Sequence, residues 1–164
     1  MIRLAAVVLV AIAAPLQAKD SLGVFGDWGA FRDELRKGGG SRCYAIAMPA
    51  PSRLQRDYEP YATIATWPRR NVRGQVHFRL SREVRNAAAI TLQMNGKSFT
   101  LTGGAANAWA RDRAMDAAIV AAMRSASRMT VSSVDRSGRR FSNTYTLDGA
   151  SSAMDAATVA CARR

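Results

Sequence analysis

The chain has 164 residues, a formal net charge of +12 at pH 7 and 48% apolar residues. Its length suits one domain that buries its own core, and the sequence has neither a second low-complexity tract beyond one glycine run nor a linker that would separate two domains. The charge informs about partners and solubility rather than about the fold.

The first 18 residues have the pattern of a secretory signal peptide. Arg3 precedes an unbroken apolar run from Leu4 to Ala14, which is too short to span a bilayer, and Ala18 is a small residue suited to a cleavage site. We therefore expect residues 1–18 to be a signal peptide and residues 19–164 to form one exported domain. This domain would have no transmembrane segment after cleavage, and it would be periplasmic, secreted or located in the outer envelope.

Export changes which partners the basic charge can attract. Of the 24 basic residues 21 are arginine, a bias that reflects either genome base composition or attraction to polyanions. Because an exported protein does not meet nucleic acid, the acidic partners to consider are lipopolysaccharide, anionic lipid and acidic glycan. A protein partner is a further possibility.

The first part of the mature chain predicts two strands separated by a turn. Val24 to Phe31 carries strand-like aromatic residues, and Arg32 to Arg42, with its triple glycine, predicts a solvated turn. Cys43 to Met48 then alternates strictly, with Cys43, Ala45 and Ala47 on one side and larger side chains on the other. A face of such small side chains allows another element to pack closely on it.

The only two cysteines, Cys43 and Cys161, predict a disulfide because the expected compartment is oxidising. There is no C-x-x-C motif, and the single histidine, His77, does not complete a zinc site with two distant thiols. We expect neither a metal nor a cofactor. A bridge between these cysteines would stabilise the domain by about 2 to 4 kcal/mol.

Further strands are indicated in the middle of the chain. Tyr61 to Trp67 forms one that Pro68 ends, residues 76–80 alternate as the next, and residues 88–94 have one apolar face. Asn95-Gly96 is typical of a type I′ hairpin that returns the chain through Phe99.

The C-terminal third predicts two helices around a second hairpin. Apolar residues recur at helical spacing between Asp112 and Arg124, residues 129–147 form a hairpin that turns at 135–139, and a last helix starts at Ser152 and carries Cys161 on its buried side. Together these elements predict a mainly β fold: an immunoglobulin-like antiparallel β-sandwich with two short peripheral helices.

Three short motifs carry a family resemblance. They are Phe25-Gly26-Asp27-Trp28, then Arg42-Cys43-Tyr44-Ala45-Ile46 leading to Met48-Pro49, and finally Leu147-Asp148-Gly149-Ala150 with Ala153 and Met154. On these residues the chain resembles the invasion-associated locus B family, small exported proteins of alphaproteobacteria. The resemblance implies an immunoglobulin-like sandwich in the periplasm or outer envelope, with a role in envelope function or host contact. It implies no catalytic residues.

The chain departs from that family in its cysteines. Family members usually place one cysteine soon after the tryptophan and another pair in the middle of the chain, whereas Gly29-Ala30-Phe31 follows Trp28 here. The chain therefore resembles a divergent member.

One group of arginine and aromatic residues, close together in the sequence, indicates a binding site. Trp67, Arg69, Arg70 and Arg73 place guanidinium groups beside an aromatic ring, a combination that binds phosphate or carboxylate groups and covers the apolar face of a sugar. The alternative interpretation is a solvated loop that keeps the domain soluble.

Two functions remain open at this stage. The first is a non-enzymatic envelope protein that binds an acidic envelope component or another protein. The second is a periplasmic hydrolase that acts on cell-wall material, which requires the fold to bring His77 to a carboxylate or a serine. His77 stands alone on the polar side of its strand, with no sequence motif that marks a nucleophile near it.

Overall fold

The computed structural model describes residues 19–35 and 39–162. The predicted signal peptide, residues 1–18, lies outside these described residues, as does Gly38 of the triple glycine. The described elements, in chain order, are β1 Asp20–Phe25, β2 Trp28–Leu35, β3 Gly40–Ala47, β4 Tyr61–Trp67, β5 Val72–Arg79, β6 Ile90–Met94, β7 Lys97–Gly104, β8 Asn107–Trp109, α1 Arg113–Met123, β9 Arg128–Val134, β10 Arg140–Thr146 and α2 Ala150–Ala162.

The ten strands form one antiparallel sheet in the order β1-β2-β3-β4-β5-β8-β7-β6-β9-β10. The sheet curls back on itself. This is shown by Phe78 of β5 and Tyr145 of β10, whose ring centres are 5.9 Å apart although their strands are five positions apart in the sheet. Likewise, the indole Nε1 of Trp28 in β2 donates to the carbonyl oxygen of Thr146 in β10 at 2.9 Å. The mainly β, antiparallel prediction with two helices is confirmed, while the immunoglobulin-like sandwich stays a prediction.

The inner face of the sheet is closed by the two helices. Ile119 and Met123 of α1 are fully buried in the core. Helix α2 lies against β2 and β3 through small side chains such as Ala153 and Ala157. The alternation predicted for the second strand is confirmed, since its small residues are the ones that face α2 and the core.

The predicted disulfide is present. Cys43 in β3 is bonded to Cys161 in the last turn of α2, with 5.8 Å between the two Cα atoms. Ala157 packs beside the pair. The bond therefore fastens the last helix to the third strand, as the two buried faces indicated.

The predicted turn from Arg32 to Arg42 is wrong over most of its length. Strand β2 continues to Leu35 and β3 begins at Gly40, so that the charged residues stand in a β ladder. The reason is pairing across the strands: Asp33 lies opposite Arg42, and the two side chains form an ion pair. A segment rich in charges of both signs can thus extend a sheet instead of leaving it.

Two local predictions need smaller corrections, and one short strand has no counterpart in the predictions. A turn at Gly26-Asp27 divides the first predicted strand into β1 and β2. Helix α2 begins at Ala150 rather than Ser152, because the amide of Ala153 already donates to the carbonyl oxygen of Gly149 at 3.0 Å. The three-residue strand β8 was not predicted, since so short a segment has no detectable alternation.

Candidate functional site

The outer face of the sheet, the side turned away from the core on β2, β3, β4, β5 and β8, is lined with aromatic side chains. The register sets this arrangement, because Phe31 lies opposite Tyr44, and His77 lies opposite Trp109. Side chains of an antiparallel sheet alternate between its faces, so these residues share one side. The face carries Phe31, Asp33, Arg42, Tyr44, Tyr61, Trp67, His77 and Trp109.

At one end of the outer face two arginines stack on aromatic rings. The guanidinium of Arg42 lies 4.4 Å from the ring centre of Tyr44 and 5.1 Å from that of Trp67. The guanidinium of Arg70 lies 4.9 Å from the same Trp67 ring. These residues, with Asp33, are the arginine–aromatic cluster. Stacking of this kind orients a guanidinium while leaving its N–H edge free to bind an anion.

The two arginines of the cluster differ in charge compensation. Arg42 forms an ion pair with Asp33, and the hydroxyl of Tyr44 donates to the same carboxylate at 3.4 Å. Burial, followed by the negative charge of Asp33, raises the pKa of the Tyr44 phenol. Arg70 is exposed and has no carboxylate partner among the residues that the structure describes. Arg70 is thus the member of the cluster whose positive charge stays available.

Two donors in the cluster lack acceptors. Nε of Arg42 and the indole Nε1 of Trp67 are shielded from solvent, and neither has a hydrogen-bond partner within the described part of the chain. A shielded donor without an acceptor costs free energy. Because both atoms are shielded, a ligand would reach them only if the neighbouring side chains moved.

Three of the four residues that the sequence indicated lie at this end of the face. Trp67 ends β4, and the short 3-10 turn Pro68–Arg70 follows it directly. The Arg69 side chain crosses the start of β3, since a Cβ built on Gly40 would stand 2.7 Å from its Cδ. Trp67, Arg69 and Arg70 are therefore neighbours in space as well as in sequence.

Arg73 occupies a different place. It lines a cleft of about 450 Å³ together with Thr66, Thr158 and Cys161, at the junction of β4, β5 and the end of α2. Thr66 pairs with Cys43, whose side chain faces α2, so this cleft opens on the other side of the sheet from Trp67. Arg73 thus lines this cleft, which Pro68 and Asn71 of the neighbouring turn also line, and it makes no described contact with the Trp67 ring.

Arg42, Tyr44 and Asp33 are members of the site that the sequence prediction did not include. Arg42 was assigned to a solvated turn, although the alternation that begins at Cys43 places it on the same side as Tyr44 once the strand is extended backwards. The pattern contained that signal. The contact of Arg42 with Trp67, by contrast, depends on the pairing of β3 with β4, which no local pattern reveals.

His77 does not meet a catalytic partner in the described residues. Its Nε2 lies 3.1 Å from Oδ1 of Asn107, and its ring is flanked by Trp109 at 5.0 Å and Tyr61 at 5.7 Å. Burial lowers the pKa of the imidazole below its ordinary value. The surroundings therefore give no support to the hydrolase alternative.

Two features are absent from residues 19–35 and 39–162. No group of three or more histidine, cysteine, aspartate or glutamate side chains is arranged to hold a metal ion. No helix in this part of the chain is both long and apolar enough to cross a bilayer.

The described residues thus form a disulfide-bonded antiparallel β domain with a basic, aromatic outer face. The chain belongs to the family of the Invasion associated locus B (IalB) protein, whose family model matches residues 36–158, most of the chain. This family is envelope-associated and is not a known enzyme family. No curated protein and no solved structure gives a significant match.

Proposed function

We propose that this IalB-family protein is an exported, non-enzymatic envelope protein that binds an acidic envelope component through the arginine–aromatic cluster. The observation that carries the proposal is Arg70, whose exposed guanidinium is stacked on Trp67 and is not neutralised by a described carboxylate. Arg69 adds a second exposed positive charge next to it.

The cluster supports anion binding better than the net charge alone. A stacked guanidinium has lost much of its conformational freedom before the ligand arrives, so binding an anion costs less entropy than with a free side chain. Diffuse attraction to a basic surface requires no such orientation of the guanidinium.

Two further observations support export. A disulfide between Cys43 and Cys161 suits an oxidising compartment such as the periplasm. Membership of an envelope-associated family agrees with that location.

The test compares two pairs of arginines with equal charge. Arg69→Gln combined with Arg70→Gln removes two exposed charges at the site, and Arg85→Gln combined with Arg128→Gln removes two exposed charges elsewhere. Binding to polygalacturonate and to phosphatidylglycerol vesicles is measured by titration at two salt concentrations. Because bidentate contacts at a formed site exceed diffuse attraction, we expect at least a tenfold loss for the first pair and about threefold or less for the second.

Equal losses from the two pairs would mean that overall charge, rather than the cluster, does the binding. In that case Trp67, Arg69 and Arg70 would revert to a solubilising surface loop.

A further inference from the structure

An apolar groove lies beside the arginine–aromatic cluster. It has a volume of about 730 Å³, and its walls come from β1, β2, β3 and the segment that follows β3. Val24 and Met48 line it with 74% and 53% of their surfaces exposed, and Phe31, Ile46 and Pro51 complete its apolar wall. Apolar side chains left so exposed around a concavity mark a surface that takes an apolar ligand.

The groove and the cluster are continuous. The ring of Phe31 lines the groove and lies 5.8 Å from the ring of Tyr44, over which Arg42 is stacked. Ile46, Tyr44 and Arg42 point outward along β3, and Met48 continues this row directly after the strand ends. Six residues of extended strand span about 20 Å, so the surface changes from apolar to cationic over roughly that length.

The two ends of this surface have opposite charge. Asp27 lines the groove at the end far from Arg42, where it accepts a hydrogen bond from the hydroxyl of Thr146. A carboxylate there disfavours an anionic group at that end, whereas Arg70, which has no described carboxylate partner, favours one at the other. The electrostatics therefore orient an amphiphilic ligand with its anionic head at the arginines.

From this continuity and polarity we infer that the groove and the cluster together bind one molecule of an anionic lipid. Its acyl chain lies between Val24, Phe31, Ile46 and Met48, and its head group lies at Arg70, beside the ion pair of Arg42 with Asp33. The inference rests on the proposed function for the head group and adds the acyl chain, which the proposed function does not require.

The composition of the groove favours a lipid over a glycan or a peptide. Sugars and extended peptides carry hydrogen-bonding groups along their whole length, and these groups need partners when they leave water. Apart from Asp27 and Thr146, the side chains that line the groove are apolar, and these two already bond to each other. An acyl chain needs no such partners.

The experiment titrates the protein with lauroyl lysophosphatidylglycerol below its micelle concentration. Val24→Gln combined with Met48→Gln makes the groove polar. Leu54→Gln combined with Val159→Gln is the matched control, because these residues are 54% and 49% exposed and lie outside the groove. We expect at least a tenfold loss of affinity for the groove variant and less than a twofold loss for the control.

Three ligand comparisons sharpen the test. The myristoyl homologue should bind about twofold to fourfold more tightly for each added methylene, as expected for burial of a CH₂ group. Glycerol phosphate, which lacks the chain, should bind at least tenfold more weakly than the lauroyl lipid. Lauroyl lysophosphatidylcholine, which has no net charge, should also bind more weakly, and Arg69→Gln with Arg70→Gln should abolish the difference between the two lipids.

The outcomes separate this inference from the proposed function. Unchanged lipid affinity in the groove variant, equal losses in the groove and control variants, or glycerol phosphate binding as tightly as the lipid would each overturn the lipid site. The proposed function would still stand if the variant with Arg69→Gln and Arg70→Gln loses affinity for polygalacturonate, because polygalacturonate has no acyl chain. If this arginine variant binds polygalacturonate and the lipid as tightly as the wild type does, both the lipid site and the proposed function are overturned.

Discussion

Gly149 lies directly against the backbone of Phe25: a Cβ built on Gly149 would stand 1.8 Å from the carbonyl oxygen of Phe25. The reverse contact is similar, since a Cβ on Gly26 would stand 2.8 Å from the carbonyl oxygen of Asp148. The amide of Asp27 donates to that same oxygen at 3.3 Å. Two motifs that are far apart in sequence, at residues 25–28 and 147–150, therefore pack closely on each other at Gly26 and Gly149.

This contact predicts that Gly149→Ala destabilises the domain strongly. Gly149 has a φ of +79°, which L-residues other than glycine rarely adopt, and the new methyl group would overlap the Phe25 carbonyl. We expect a loss of about 2 kcal/mol or more in the free energy of unfolding, measured by urea denaturation. The control is Gly104→Ala, because a Cβ at Gly104 meets no atom within 4 Å. Similar midpoints for the two variants would contradict the close packing.

A second prediction concerns the disulfide. Replacing Cys43 and Cys161 by serine removes the link between β3 and α2, and we expect the free energy of unfolding to fall by about 2 to 4 kcal/mol because the unfolded chain gains conformational freedom. The measurement is urea denaturation of the double variant beside the oxidised and the reduced wild type. Mass spectrometry after alkylation without reduction should find neither thiol labelled in the native protein. Labelling of both thiols would refute the bridge.

A third prediction compares a buried ion pair with an exposed one. Arg82 is only 8% exposed; its guanidinium donates to Asp135 at 3.0 Å and to the carbonyl oxygen of Gln55 at 2.6 Å. Arg82→Met leaves the Asp135 carboxylate without this partner, whereas Arg124→Met only breaks an exposed pair with Asp155. We expect the second change to cost about 0.5 kcal/mol or less and the first several times more, measured by chemical denaturation. Equal effects would show that the Arg82 pair is screened by water.

The fourth prediction is a dependence of stability on pH. Burial lowers the pKa of His77 below its ordinary value of 6.5, so the unfolded chain binds a proton more readily than the folded one. The stability associated with neutral His77 is complete above pH 6.5 and is lost as the pH falls towards the lower pKa of the folded state. His77→Gln should remove this part of the change in Tm between pH 7.5 and 5. An identical Tm profile in the variant would show that His77 titrates normally.

Local patterns determined much of the secondary structure. Three features agree with their sequence signals: the two positive φ angles of the Asn95-Gly96 turn, the strand Tyr61–Trp67, and the start of α1 at its cap Asp112. These features depend on neighbouring residues, so the sequence contains the information needed to predict them. The disulfide was also predictable, because two cysteines on two buried faces allow only one pairing within the chain.

Only the tertiary structure decided where the surface residues lie and which side chains they contact. Strand pairing, not local sequence, places Arg42 over Tyr44 and Trp67, and Arg73, close to Arg70 in sequence, lines a cleft with Thr158 and Cys161 of α2. The curl of the sheet likewise brings Phe78 to Tyr145, and the motif at Gly26 to the one at Gly149. Alternation along a strand is a local property, whereas register and sheet order arise from long-range contacts that minimise exposed apolar surface across the whole domain. The sequence alone therefore determined most of the secondary structure and the disulfide, and the tertiary packing assembled the site from these elements.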